Sequence, residues 1–239
     1  MVRERIRNLF EVYYPGYRSE ETIFLAHLDA AAGDARLVYD VGCGSGELCS
    51  HDLRSSDRMV IGVDADPAVA RNPWVSVAVR GSLSVLPFAD ASADLVVARY
   101  VLEHIAHPAQ AFCEIARVLR PGGRFVLLTP NAYHYVALIS RWTPDWVHRA
   151  AKAGHGVASE DVFPTHYRAN TRRAIGALAT SAGFAVTRLE YHETSPNYLE
   201  FSRLLYRAGV LYERIVNRFE VLAGLRVSVI ATLTKQEGD

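Results

Sequence analysis

Long apolar runs, paired cysteines and an excess of either charge are all missing from this 239-residue chain. No stretch approaches the roughly 18 consecutive apolar residues that a helix needs to span a bilayer. The amino terminus, MVRERIRNLF, is charged and amphipathic and lacks the apolar core of a signal peptide, so a cytoplasmic location is expected. The three cysteines, Cys43, Cys49 and Cys113, are an odd number and show neither zinc-knuckle nor redox-dithiol spacing, which excludes a disulfide framework. Lys and Arg together number 26, as do Asp and Glu. That balance removes the general attraction to phosphate on which nucleic-acid binding rests. No internal repeat or low-complexity tract interrupts the chain, and half of its residues are hydrophobic, enough for a full core. A single domain over residues 1–239 is expected.

Apolar, β-branched runs alternate with helix-period segments, the pattern of an α/β fold with a parallel sheet. The runs are RLVYDV (36–41), RMVIGVDA (58–65), VSVAV (75–79), DLVVARYV (94–101), GRFVLLTP (123–130), FAVTRLEY (184–191) and RVSVIATLT (226–234). A helical lead-in of about 33 residues precedes them. Between the fourth and fifth runs, Ala111, Phe112, Ile115, Val118 and Leu119 share one helical face, stopped by Pro121, Gly122 and Gly123. A second helix is predicted after Asn170, its expected N-cap, with Gly183 past its end.

Two connections are longer than a compact domain usually allows. Residues 131–168 are rich in aromatics and histidines, including Tyr133, His134, Trp142, Trp146, His148, His155 and His166. Residues 195–222 read as a helix with an apolar stripe through Tyr198, Phe201, Leu205, Ala208, Leu211 or Tyr212, Ile215 and Phe219, and with Arg203, Arg207, Arg214 and Arg218 elsewhere on its circumference. The stripe is expected to pack on its own sheet or on a second subunit, a homodimer. Membrane contact through 198–220 is the lesser alternative.

The stretch VYDVGCGSGE places Gly42, Gly44 and Gly46 directly behind a strand, at the carboxyl edge where open α/β sheets bind ligands. A dinucleotide site wants a third glycine where this chain has Glu47, and a carboxylate there would face the phosphates. A ligand with a cation and no phosphate fits better: Asp40 attracts an amine or sulfonium, and Asp64 ends the second strand where an acid accepts from ribose hydroxyls.

These residues, with LPFADASADLVV, VLEHIAHP and EIARVLRPGGRFVLLTPN in order, resemble the class I S-adenosylmethionine-dependent methyltransferases, in particular the small-molecule group with the type 11 domain. The resemblance covers residues 36–130 and continues weakly through FPTHYRANT. It implies a doubly wound, Rossmann-like sheet of seven strands, mostly parallel with the last antiparallel, and S-adenosyl-L-methionine as cofactor, released as S-adenosyl-L-homocysteine. By position, Asp40, Gly42, Cys43, Gly44 and Gly46 would surround the methionine moiety and Asp64 with Ala65 the ribose. Ser82 and Leu83 would meet the adenine. Many relatives have an acid where this chain has Ser82. The resemblance further implies that residues 1–33 fold as a lid over the cofactor, bringing Arg18 to its carboxylate, with Arg99 also at the cofactor.

Methyl transfer needs a nucleophile held near the methyl group, and a base only where the acceptor starts protonated. His104 is the expected base, with Glu103 beside it, because an imidazole titrates near working pH. Tyr13, Tyr14, Tyr133, His134 and His166 are the expected substrate contacts, with the two long connections covering the acceptor. No metal is expected, since Glu103, His104 and His107 lack ligand spacing. The motifs of nucleic-acid amino and carbon methylation are absent after the fourth run. A hydroxyl of a small molecule or glycan is therefore the expected acceptor, a small amine the alternative. A non-catalytic S-adenosylmethionine-binding module and an NAD(P)-dependent oxidoreductase stand as alternatives from other classes.

Overall fold

The computed structural model describes residues 9–47, 52–142 and 164–237. Trp146, His148, His155 and Cys49 lie outside the described residues. The chain packs as two compact units, one comprising residues 26–129, 164–190 and 229–239 and the other residues 1–25, 130–163 and 191–228.

The first unit carries the sheet. Its strands are β1 (Leu37–Val41), β2 (Met59–Asp64), β3 (Val77–Arg80), β4 (Ala93–Arg99), β5 (Leu119–Pro130), β6 (Phe184–His192) and β7 (Ser228–Lys235), in the order β3-β2-β1-β4-β5-β7-β6. All seven expected strands are present, and the sheet is mostly parallel with one antiparallel strand. The central strands are apolar along their length because both faces of a parallel sheet are covered: Val38, Val41, Leu95, Val96, Phe125, Val126 and Leu127 are all buried. The strand order reverses at the β1–β4 pair, where Val38 lies opposite Leu95 and Val41 opposite Ala98. That switch point sends two loops out side by side at the carboxyl edge.

The helix α1 (Glu20–Ala32) starts at Ser19, whose hydroxyl oxygen accepts the Thr22 N–H at 3.1 Å. Helix α2 (Pro108–Val118) buries Ala111, Phe112, Ile115 and Val118 as its periodicity predicts, and Phe112 meets Phe125 edge-on at 5.6 Å. The chain passes straight from this helix into β5. Pro121, Gly122 and Gly123 then bulge out of that strand, where the register against β4 jumps from Ala93↔Leu119 to Leu95↔Arg124. Helix α3 (Tyr135–Trp142) belongs to the second unit, and α4 (Arg172–Ser181) to the first.

At the start of α4 the structure corrects the expected cap. Thr171, not Asn170, is the N-cap, its hydroxyl oxygen accepting the Ala174 N–H at 3.1 Å. Asn170 is fully buried one residue earlier and donates through Nδ2 to Thr129 Oγ1 at 2.5 Å. Both residue types cap well, and a long-range partner on β5 decided between them.

In the second unit, helix α5 (Arg203–Arg218) turns Tyr206, Gly209, Val210 and Val216 inward. Tyr206 and Val210 form a small core with Leu9, Tyr13 and Tyr14. Gly209 permits the close approach of the Pro196–Leu199 turn, since a Cβ there would lie 2.6 Å from Pro196 Cβ. This departs from the expectation that the stripe packs on its own sheet. The stripe Phe201, Leu211, Ile215 and Phe219 faces outward, and a line that reads as less hydrophobic, with a tyrosine and a glycine in it, is the buried one.

Replacing Thr171 with Ala lowers the stability of the chain by about 1 kcal/mol, the worth of an N-cap, as read from the urea unfolding midpoint. Asn170→Ala costs more, because it leaves a buried hydroxyl without its donor. Equal losses would return the cap to Asn170.

Candidate functional site

Everything at the carboxyl edge of β1 follows from a close contact across the switch point. The β1 loop turns at Gly42, whose N–H donates to Val63 O at 2.7 Å and whose φ is +72°. A Cβ at this position would overlap both methyl groups of Val101, which follows β4. Glycine is therefore required twice here, by backbone angle and by space.

The loop is held from behind by polar groups far away in sequence. Asp64, at the end of β2, accepts the Gly44 N–H through Oδ2 at 2.8 Å and the Asp66 N–H through Oδ1 at 2.8 Å. Each carboxylate oxygen keeps a second lone pair for a further donor. Asn72 donates through Nδ2 to the carbonyls of Cys43 and Gly44, both at 3.2 Å, and Trp74 Nε1 donates to Gly46 O at 3.1 Å. A side chain at Gly46 would strike Asn72 and Trp74, whereas a Cβ at Gly44 meets open space at a φ of +53°. The loop thus packs against protein at Gly42 and Gly46 and turns bare backbone outward at Gly44. Asn72 and Trp74 were not evident as site residues in the sequence; 28 or 29 positions separate them from the carbonyls they hold, and no local pattern links the two.

Asp40 lies beneath this loop on β1. Burial pushes its carboxyl up to about 6; the Arg99 guanidinium opposes that shift and the Asp64 carboxylate adds to it. Cys43 is buried, and burial followed by the two acids raises its thiol to about 12, so it is an inert packing group. Ala65 is exposed and uses its carbonyl to accept from Arg80 Nε at 3.2 Å. After β3, Ser82 is exposed with its Oγ accepting the Ser84 N–H at 3.2 Å, while Leu83 is buried.

Directly after Val101, a short 3-10 turn spans Leu102–His104. The buried Glu103 accepts from Thr129 Oγ1 at 3.2 Å, completing a chain from Asn170 through Thr129 to Glu103. The segment 164–170 clamps this turn: the N–H groups of His166 and Tyr167 donate to Glu103 O at 2.6 and 3.2 Å, and Arg168 donates to Ala106 O at 2.6 Å. Pro164 O lies 3.0 Å from His104 Nδ1. A carbonyl only accepts, so Nδ1 carries the hydrogen, and in its neutral form the ring presents an acceptor at Nε2. Glu103 Oε1 stands 4.0 Å from that nitrogen.

The first unit contains Asp40, Gly42, Cys43, Gly44, Gly46, Asp64, Ala65, Arg99, Glu103, His104 and His166. Ser82 and Leu83 belong to it too. Arg18, Tyr13, Tyr14, Tyr133 and His134 belong to the second unit. There Arg18 and Tyr133 are exposed, and Tyr14 OH donates to Glu213 Oε2 at 3.3 Å. His134 is fully buried, with Nε2 3.5 Å from Glu193 Oε2. Burial lowers the imidazole to about 4 and raises the carboxyl to about 8, so both are neutral near pH 7.

Gly42→Ala lowers stability by about 2 kcal/mol from overpacking and the left-handed angle together. Gly42→Ala with Val101→Ala recovers part of that loss, and a double-mutant cycle by urea denaturation reads the coupling. Strictly additive losses would show that the two loops do not press on each other.

Comparison with known proteins matches residues 39–127 to the family described as "Methyltransferase domain". A protein of Mycolicibacterium smegmatis named "Probable S-adenosylmethionine-dependent methyltransferase" is 41% identical over 120 residues, 48% of this chain and 45% of its own length. The chain thus spans less than half the length of that curated relative. Among solved structures, an S-adenosylmethionine-dependent methyltransferase from Mesorhizobium loti is 19% identical, with a TM-score of 0.58 over 91% of this chain and 98% of the other. The [4+2]-cyclase SpnF has the same TM-score, 0.58, at 19% identity, over 95% of this chain and 86% of its own. Neighbours this distant establish the fold alone.

Proposed function

We propose that the chain, whose residues 39–127 match the methyltransferase domain family, is a class I S-adenosylmethionine-dependent methyltransferase that methylates a hydroxyl of a small-molecule or glycan acceptor, with His104 as base. The observation that carries the base assignment is the fixed His104 ring, with Nδ1–H on Pro164 O and Glu103 beside Nε2. The residues fit the cofactor. Gly44 offers bare backbone to a bulky ligand, Asp64 has lone pairs left for two hydroxyl donors, and Asp40 is a half-buried acid suited to a cation.

When bound, the cofactor supplies an electrophilic methyl group on a sulfonium. The chain's own part is to hold, orient and deprotonate. Asp64 would hold the ribose, and the glycine loop with Asp40 the charged methionine half, with Arg99 moderating that acid. His104 Nε2 accepts the acceptor's proton, and the nearby Glu103 carboxyl stabilises the imidazolium that results. A small amine needs the same proton removal when it starts as an ammonium, so amine methylation remains the second acceptor class. Tyr13, Tyr14, Tyr133, His134 and His166 remain the proposed substrate contacts, and a cytoplasmic location the proposed setting.

Isothermal calorimetry of the whole chain with S-adenosylmethionine gives a dissociation constant on the order of micromolar, and Asp64→Ala abolishes binding. The raised Asp40 pKa sets the sign of the pH dependence. The proton stays on the folded protein until about pH 6, so affinity for the cation falls below pH 6, by up to about tenfold per unit. Asp40→Asn removes that dependence. For the ligand-free fold the sign is opposite: burial favours neutral Asp40, and stability is lost as pH rises from the usual 3.8 through about 6. A pH-independent affinity in the parent chain would remove Asp40 from the cation's surroundings.

Turnover of labelled S-adenosylmethionine against hydroxylated aromatics, sugars and amines identifies the acceptor. On it, His104→Ala lowers kcat by about 100-fold or more, while cofactor affinity is unchanged. A loss within twofold would leave His104 a structural residue of the turn.

A further inference from the structure

Helix α5 carries two adjacent outward lines. Leu204, Ala208, Leu211, Ile215 and Phe219 follow one another at helical spacings of three and four, and all are exposed, Leu204 at 77% and Leu211 at 61%. Beside them run Arg203, Arg207, Arg214 and Arg218, also exposed, at spacings of four, seven and four. Exposed apolar residues continue the face at both ends, with Phe201 at 70% before the helix and Val221 at 90% after it. The only acid of the helix, Glu213, lies toward the inner side, where Tyr14 OH and Asn217 Nδ2 donate to it.

We propose that this face docks on an anionic lipid surface, with Leu204, Leu211, Ile215 and Phe219 entering the acyl boundary and the four arginines meeting lipid phosphates. An apolar line in water is unfavourable, and this one is continuous over the whole helix and beyond it. A flanking row of arginines complements an anionic headgroup layer, and their aliphatic stems reach past buried neighbours to place charge in the polar zone. A second copy of the chain fits the charge pattern poorly. Antiparallel two-fold packing of this face brings one arginine row against the other. Parallel packing sets it against the partner's opposite edge, where Leu205 and Tyr212 offer no acid. No helix among the described residues is long and apolar enough to cross a membrane, so the contact is peripheral.

Co-sedimentation of the full chain with vesicles tests this directly. The chain binds vesicles of phosphatidylcholine mixed with phosphatidylglycerol and releases them as salt rises, and it binds phosphatidylcholine alone at least about tenfold more weakly. Arg203→Gln with Arg207→Gln weakens binding by a similar factor, as does Leu211→Asp, while circular dichroism and the melting temperature stay those of the parent chain. The salt response of the parent chain needs no variant, so a poorly folded substitution does not spare the proposal. Absence of vesicle binding, or equal binding to both vesicle types at all salt concentrations, overturns it. So does a dimer in light scattering that Leu211→Asp dissociates without any vesicle binding by the parent chain, which would assign the face to a second copy.

Discussion

The site rests on the absence of one side chain. At Gly42 the β1 loop and the loop after β4 approach so closely that Val101 occupies the space a Cβ would need. Parallel pairing of β1 with β4 starts both loops from one place on the sheet edge, and hydrogen bonding sets strand spacing at about 4.8 Å. Two loops leaving neighbouring strands at that separation turn past each other only if one is bare. That contact joins the glycine loop to the turn bearing Glu103 and His104.

Rigidity of the loop comes from behind it. Asp64 and Asn72 hold its N–H and C=O groups respectively, and Trp74 holds a third point at Gly46. A loop of small residues has no packing of its own to resist fluctuation, so side chains from the β2–β3 region supply the restraint. Asp40 contributes differently. It is a half-buried acid with Arg99 and Asp64 as its charged neighbours, which suits the approach of a cation more than the stability of the empty fold. A destabilising charge retained at a strand end is the pattern expected of a binding site.

The segment 164–170 does for the β4 turn what Asn72 does for the glycine loop. Its N–H groups take the Glu103 carbonyl, Pro164 sets the His104 tautomer, and Asn170 anchors the chain to Thr129. In the second unit the polar accounting is different: burial leaves His134 and Glu193 neutral side by side, and the surface of α5 carries an apolar line that the described residues of its unit do not cover.

Strand identities, the glycine loop and the strand-end acids were legible because each is local. An apolar run of five or six residues, a glycine triplet behind it and an acid at a strand end depend on period, backbone angle and reach, all of which the sequence encodes within a few residues. The α2 face was legible for the same reason, since Ala111, Phe112, Ile115 and Val118 follow one period. Tertiary structure decided what depended on distant partners. Asn170 and Thr171 are equal as caps in the sequence, and only Thr129 distinguishes them. The two faces of α5 are both apolar enough to be buried, and the side chosen was the one where Gly209 lets Pro196 in close and Tyr206 meets Leu9, Tyr13 and Tyr14. The support of the loop by Asn72 and Trp74, and the tautomer of His104, lie in the same class. Each joins residues separated by dozens of positions, and a hydrogen bond across such a gap leaves no periodic trace in the chain that makes it.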